Sequence, residues 1–209
     1  MVILGLTGSI GMGKSVAARA LRRLGAAVFD ADAAVHQLIG SGGAALAAVA
    51  AAFPGCTMDG AVDRRALGER IFGDDDATDR LEAILHPLVG VMERRFLQGA
   101  AARHCRLAVL DVPLMFETGG ERRCDAVAVV VAPPFVQAQR VLRRPGMSAA
   151  RFAAIRARQM ADGDKLRRAD FVIRTGLDRR SSLRDIRRMV RMLDAREGRH
   201  WPPRVLRRR

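Results

Sequence analysis

Tyrosine is absent from this 209-residue chain, tryptophan occurs once, and aromatics together make up 4% of it. Few rings are therefore on offer for stacking the bases of a single-stranded nucleic acid. No apolar run is long enough to cross a bilayer as a helix. A strand-like segment begins at Val2, so no signal peptide is expected. Cysteine is scarce too. Cys56, Cys105 and Cys124 lack the spacing of a metal site, and an odd count suits a reducing compartment. The expected location is the cytoplasm, with no membrane partner. Lysine is the least expected shortage: only Lys14 and Lys165 stand against 34 arginines. A guanidinium is a planar fork, whereas an ammonium is a compact point charge that can sit over a phosphate. A lysine kept at position 14 therefore suggests a specific task.

What is present suffices for one domain, or one domain with inserts. Hydrophobic residues make up 49% of the chain, and no internal repeat is visible. The formal net charge is +14. That balance suits a nucleic acid, a membrane surface or a small polyanion as partner. Much of the charge is terminal, because residues 174–209 hold 13 arginines against Asp178, Asp185, Asp194 and Glu197. Residues 199–209 are basic and proline-broken, and read as a frayed tail beyond a domain of residues 1–198. The remaining charge is ordinary for an enzyme that handles phosphates, and no nucleic-acid partner is expected.

Gly8-Ser9-Ile10-Gly11-Met12-Gly13-Lys14-Ser15 is a complete G-x-x-x-x-G-K-[ST] phosphate-binding loop. An apolar run, Val2–Leu6, enters it, and Val16-Ala17-Ala18-Arg19-Ala20-Leu21 leaves it as a good helix. Glycines let backbone N–H groups turn inward around phosphate oxygens, and the helix N-terminus adds partial positive charge. Lys14 would reach the β- and γ-phosphates, and the Ser15 hydroxyl can ligate Mg²⁺. The expected nucleotide-binding set is Gly8, Gly11, Met12, Gly13, Lys14, Ser15 and Val16, with ATP and Mg²⁺ as the cofactors.

Further strands are expected at residues 26–29, 106–110, 126–132 and 171–173, and a final amphipathic helix at 179–196. Strands separated by helical segments predict a parallel α/β sheet. Residues 33–105 are mostly helical in pattern, broken at Gly40–Gly43, Pro54-Gly55 and Asp59-Gly60, and read as an insert. A charged helical stretch at about 135–167 is broken at Pro145-Gly146, a plausible hinge. Arg140, Arg143 and Arg144 cluster before it, as lid cations or as a solvated helix face.

Ligands of an open parallel sheet bind at the carboxyl ends of its strands. Asp30 and Asp32 end the second strand, and Asp111 ends the third. A carboxylate there can accept a proton from an attacking hydroxyl or help hold Mg²⁺. Asp30 reads equally well as a helix cap, which leaves Asp32 as the better candidate.

At these residues the chain resembles the dephospho-coenzyme A kinases. Gly8–Ser15 and Phe29-Asp30-Ala31-Asp32 are similar to that family's opening. The likeness continues through Asp59-Gly60-Ala61-Val62-Asp63-Arg64, Leu85-His86-Pro87, Asp111-Val112-Pro113-Leu114-Met115-Phe116-Glu117, Gln139-Arg140-Val141, Gln159-Met160 and Ala169-Asp170-Phe171-Val172-Ile173. It covers nearly the whole chain, to about residue 195. The resemblance implies a P-loop kinase with a five-stranded parallel sheet flanked by helices, a helical substrate-binding insert and an arginine-bearing lid. It implies transfer of the γ-phosphoryl group of ATP to the ribose 3′-hydroxyl of dephospho-coenzyme A, the last step of coenzyme A synthesis. Asp32 would be the general base, and Arg140 would belong to the lid over ATP.

Other candidates are weaker. Thr7 would touch substrate or simply finish its strand. His86, held extended by the following Pro87, would touch substrate or be structural. Pro113 and Leu114 would pack below the substrate, and Glu117 would orient a loop. Gly90 and Thr175 depart from the family's usual Arg and Asn. Another small-molecule kinase and a nucleic-acid-binding ATPase remain the alternative readings, and the oligomeric state stays open.

Overall fold

The computed structural model describes residues 1–176 and 178–202. In chain order, β1 (Val2–Thr7) leads through the phosphate loop into α1 (Lys14–Arg23), and β2 (Ala27–Asp30) into α2 (Ala31–Ile39) and α3 (Leu46–Ala52). A hairpin of β3 (Thr57–Met58) and β4 (Ala61–Val62) precedes α4 (Arg64–Ile71) and the long α5 (Asp75–Ala102). Then come β5 (Leu107–Asp111), β6 (Ala126–Val131), α6 (Pro134–Leu142), α7 (Ala149–Ala157), α8 (Asp162–Arg168), β7 (Phe171–Arg174) and α9 (Arg179–Asp194). The chain forms two compact units, one of Met1–Phe29 with the residues from Gly99 onward, the other of Asp30–Gln98. No helix among the described residues is long and apolar enough to cross a membrane.

The first unit is built on a five-stranded parallel sheet of order β2-β5-β1-β6-β7. Every residue of β1 and β5 is buried. That explains their unbroken apolar sequences, since helices cover both faces of a parallel sheet. The register sets Leu6 beside Asp111 and Thr7 beside Val129. The carboxyl end of β5 therefore lies beside the strand that opens into the phosphate loop. On one face, Ala17, Ala18 and Leu21 of α1 and Ile186, Met189 and Leu193 of α9 share a core with Leu4, Leu6 and Val109. The alanines let α1 approach the sheet closely, which fixes the helix whose first turn closes the loop.

The first residues of the expected tail are part of this unit. Asp125 accepts from the amides of Ile3 (2.7 Å), Arg199 (2.6 Å) and His200 (3.3 Å). Residues 199–202 thus extend the domain past its expected end at 198; residues 203–209 of the tail lie outside the described residues.

The second unit has its own core of Leu38, Val49, Phe53, Val62, Leu67, Leu81 and Leu85. It spans 30–98 where 33–105 was expected, because the last turns of α5 and the approach to β5 belong with the sheet. The Asp59-Gly60 break is the turn of the β3–β4 hairpin, both residues at positive φ (51° and 71°). Asp-Gly favours this turn because the aspartate tolerates, and the glycine is indifferent to, a left-handed backbone. Pro87 does not hold His86 extended. Both lie inside α5, where burial of Leu81 and Leu85 keeps the helix going through a residue that lacks its N–H.

Candidate active site

The phosphate loop is shaped from outside by bonds to its carbonyls. Gln137 Nε2 donates to Ile10 O (2.8 Å), Arg140 donates to Gly11 O (3.3 Å), and the Thr175 hydroxyl donates to Met12 O. Ser9 O accepts from Met12 N (3.1 Å), and Gly13 O from Val16 N (3.0 Å). With the carbonyls so occupied, the amides of Lys14 and Ser15 that open α1 are left for a ligand. Gly11 and Gly13 sit at positive φ, 78° and 92°. A Cβ on Gly11 would come within 2.5 Å of Val141 Cγ2, and one on Gly13 within 2.9 Å of Thr175 Oγ1. Both positions need glycine for conformation and for space.

The cap chemistry points the same way. Asp30, Asp63 and Asp178 cap α2, α4 and α9 through their carboxylates. The N-cap of α1 is Gly13, no side chain bonds its amides, and no acid stands in its first turn. The orphan N–H groups and positive end of α1 are thereby open to an anion. Lys14, the first residue of that helix, forms an ion pair with the buried Asp111 at the end of β5. Ser15 and Val16 follow it and are exposed, while Met12 is buried with its sulfur against Ala132 N (3.1 Å). Lys14, Ser15 and Asp111 thus put an ammonium, a hydroxyl and a carboxylate beside the open amides. Oxygen donors of the last two kinds are those Mg²⁺ takes.

A groove of about 740 Å³ adjoins the loop, lined by Gly13, Arg140, Thr175, Gly176, Arg179 and Arg187 among others. Arg140 lies on α6, half-buried, and holds both Gly11 O and Thr175 Oγ1 (3.2 Å). It lines the groove, whereas Arg143 and Arg144 lie exposed past the end of the helix. Thr7 is wholly buried, and its hydroxyl donates to Pro113 O (2.9 Å). It ties the end of β1 to the half-buried Pro113-Leu114 loop.

The remaining candidates belong to the second unit. Asp30 is the cap of α2, accepting from Ala33 N (3.0 Å). Asp32 stands exposed in the first turn of α2, two residues past the end of β2. On the next turn His36 Nε2 lies 3.3 Å from Arg64. His86 is exposed on α5, 3.9 Å from Glu82 one turn away.

Sequence reasoning missed Gln137 and gave Thr175 only as a departure from a pattern. Gln137 had a legible signal, a polar residue on the apolar face of α6 between Val136 and Val141, now seen 2% exposed. Thr175 had none, because its loop bond joins residues 163 positions apart.

A model of the dephospho-CoA kinase family matches residues 2–178. The dephospho-CoA kinase of Rhodospirillum rubrum is 57% identical over 202 residues, covering 96% of this chain and 95% of that protein. That of Paramagnetospirillum magneticum is 64% identical over 165 residues, 79% of this chain and 78% of that protein. Among solved structures, TT1252 from Thermus thermophilus superposes with a TM-score of 0.78 at 33% identity, covering 91% of this chain and 96% of its own. The fold alone is shared with a shikimate kinase from Acinetobacter baumannii, at TM-score 0.52 and 16% identity over 92% of this chain and 93% of that one. This chain belongs to the dephospho-coenzyme A kinase family.

Proposed function

We propose that the chain transfers the γ-phosphoryl group of ATP to the ribose 3′-hydroxyl of dephospho-coenzyme A, with Asp32 as base and Lys14 as the principal phosphate cation. The observation that carries the phosphate side is the uncapped first turn of α1 beside Lys14. The triphosphate lies along the loop amides, and the nucleoside occupies the groove beside Thr175 and Arg140. Phosphoryl transfer is mostly positioning and charge stabilisation, so amides and an ammonium fixed in advance are what the reaction needs.

The 3′-oxygen forms its bond to the γ-phosphorus as the bond to the β–γ bridging oxygen breaks. ADP leaves, and the hydroxyl proton passes to the Asp32 carboxylate. Lys14 holds charge that builds on the phosphoryl oxygens, and Arg140 keeps the Gly11 segment of the loop in shape. Ser15 would hold Mg²⁺, with Asp111 close by, and the ion would neutralise charge on the β- and γ-oxygens. Pro113 and Leu114 pack against the acceptor, and His86 is a further acceptor contact. Cys56, Cys105 and Cys124 form no disulfide among the described residues, which supports a cytoplasmic setting for the reaction.

Phosphorus NMR of a reaction containing ATP, Mg²⁺ and dephospho-coenzyme A tests this reading. ADP and a new phosphomonoester should accumulate in equal amounts. ADP with inorganic phosphate and no phosphorylated acceptor would overturn it.

A further inference from the structure

Lys165 is one of two lysines in a chain with 34 arginines, and it is fully buried in the middle of α8. Its Nζ lies 3.0 Å from Glu117 Oε1 and 3.5 Å from the hydroxyl of Ser9 in the phosphate loop. Glu117 Oε1 also accepts from Met160 N (2.8 Å), while its Oε2 is buried without a partner. The same short segment meets the loop at two more points. Asp162 accepts from Ser9 Oγ (2.6 Å), and Gln159 Oε1 from Ile10 N (3.0 Å).

We propose that Lys165 is a positioning residue for ATP: with Glu117 it clasps segment 159–165, the approach to α8 and its first turn, onto Ser9 and Ile10 and so sets the front of the phosphate loop. Gln137, Arg140 and Thr175 hold the carbonyls of Ile10, Gly11 and Met12. The clasp holds the Ser9 hydroxyl and the Ile10 amide. A buried ion pair is a poor source of stability, because desolvating both groups offsets their attraction. Its product here is a fixed geometry: one ammonium reaches a carboxylate and a hydroxyl in a space closed to solvent. A guanidinium at that place would overpack it. Lys165 and Glu117 touch no phosphate in this account. They act through Ser9 and Ile10. By linkage, whatever seats segment 159–165 favours ATP, and ATP favours its seating.

The inference rests on ATP being the ligand of this loop, and its test is read without the acceptor. ATP affinity is measured by calorimetry, with melting temperature, on Gln159→Ala, on Asp162→Ala and on the double variant Glu117→Gln/Lys165→Met, which removes both charges at similar volume. Steady-state assays then give KM for each substrate. Gln159→Ala and Asp162→Ala lie at the edge of the clasp and should keep a melting temperature near wild type. Each should weaken ATP binding and raise its KM about 5- to 10-fold, the loss of one loop bond, with KM for dephospho-coenzyme A unchanged. The double variant should do the same or more. Wild-type ATP affinity in Gln159→Ala and Asp162→Ala overturns the proposal, whether or not the double variant folds. So does a folded double variant with wild-type affinity, since the pair would then be structural only. A wild-type protein that binds ATP but leaves dephospho-coenzyme A unmodified would refute the acceptor assignment and leave the clasp standing.

Discussion

Single side chains in the site do two jobs, and substitutions should separate them. Lys14 is the proposed phosphate cation and also neutralises the buried Asp111. Lys14→Ala should lower kcat on the order of 10²–10³-fold or more, as removal of a preorganised charge from a developing oxyanion does. It should also lower the melting temperature, because a carboxylate 3% exposed loses its cation. Adding Asp111→Asn should recover melting temperature and leave the rate low. Recovery of both would mean that Lys14 acts only by balancing Asp111. The two aspartates at the head of α2 divide in the same way. Asn can cap as Asp does, so Asp30→Asn should be nearly silent. Asp32→Asn removes a proton acceptor and should lower kcat roughly 10²–10⁴-fold with far less change in ATP affinity. Kinetics with calorimetry on the two variants decides it: a crippled Asp30→Asn beside a healthy Asp32→Asn would reverse the roles of cap and base.

Helices and strands were mostly legible as elements, and the reasons are local. The β1–loop–α1 unit announces itself by an apolar run, a fixed glycine spacing and a helix former, all within 23 residues. The strands β5, β6 and β7 are short apolar runs with turn residues at their ends. Two features were not legible as read. The β3–β4 hairpin is only two residues a side, too short for an alternating pattern, although its Asp59-Gly60 turn was in view. Pro87 was expected to hold His86 extended, but the apolar spacing of Leu81 and Leu85 carried more weight than one missing N–H. In the site, the glycines and Lys14 were legible because the loop is contiguous. Of the carbonyl-holding groups Arg140 was in view only as a lid cation, and Gln137 and Thr175 were not in view as loop contacts, because they reach the loop from 127 and 163 positions away. One stability prediction belongs to an element. Gly90 lies inside α5, at an ordinary φ, and a Cβ there would meet nothing within 4 Å. Gly90→Ala should stabilise the protein by about 0.5–1 kcal/mol, roughly 1–4 °C for a chain of this size, with kinetics unchanged. Calorimetry checks it, and a lower melting temperature would mean that the position is not the open helix interior described.

Across the whole molecule, the first strand and residues 199–200 meet at Asp125, which binds the amide of Ile3 in β1 as well as those of Arg199 and His200. Ending the chain at residue 198 removes two of these donors. Stability should fall by about 1–2 kcal/mol, the worth of one or two hydrogen bonds to a charged group, while kcat/KM stays near wild type. Lost turnover at full stability would mean that the terminal segment reaches the substrates. The account stands most directly on the identity of the acceptor. ADP release with ATP and Mg²⁺, measured across dephospho-coenzyme A, adenosine and AMP, should give a kcat/KM highest for dephospho-coenzyme A by orders of magnitude. Equal or faster turnover of AMP or adenosine would contradict it.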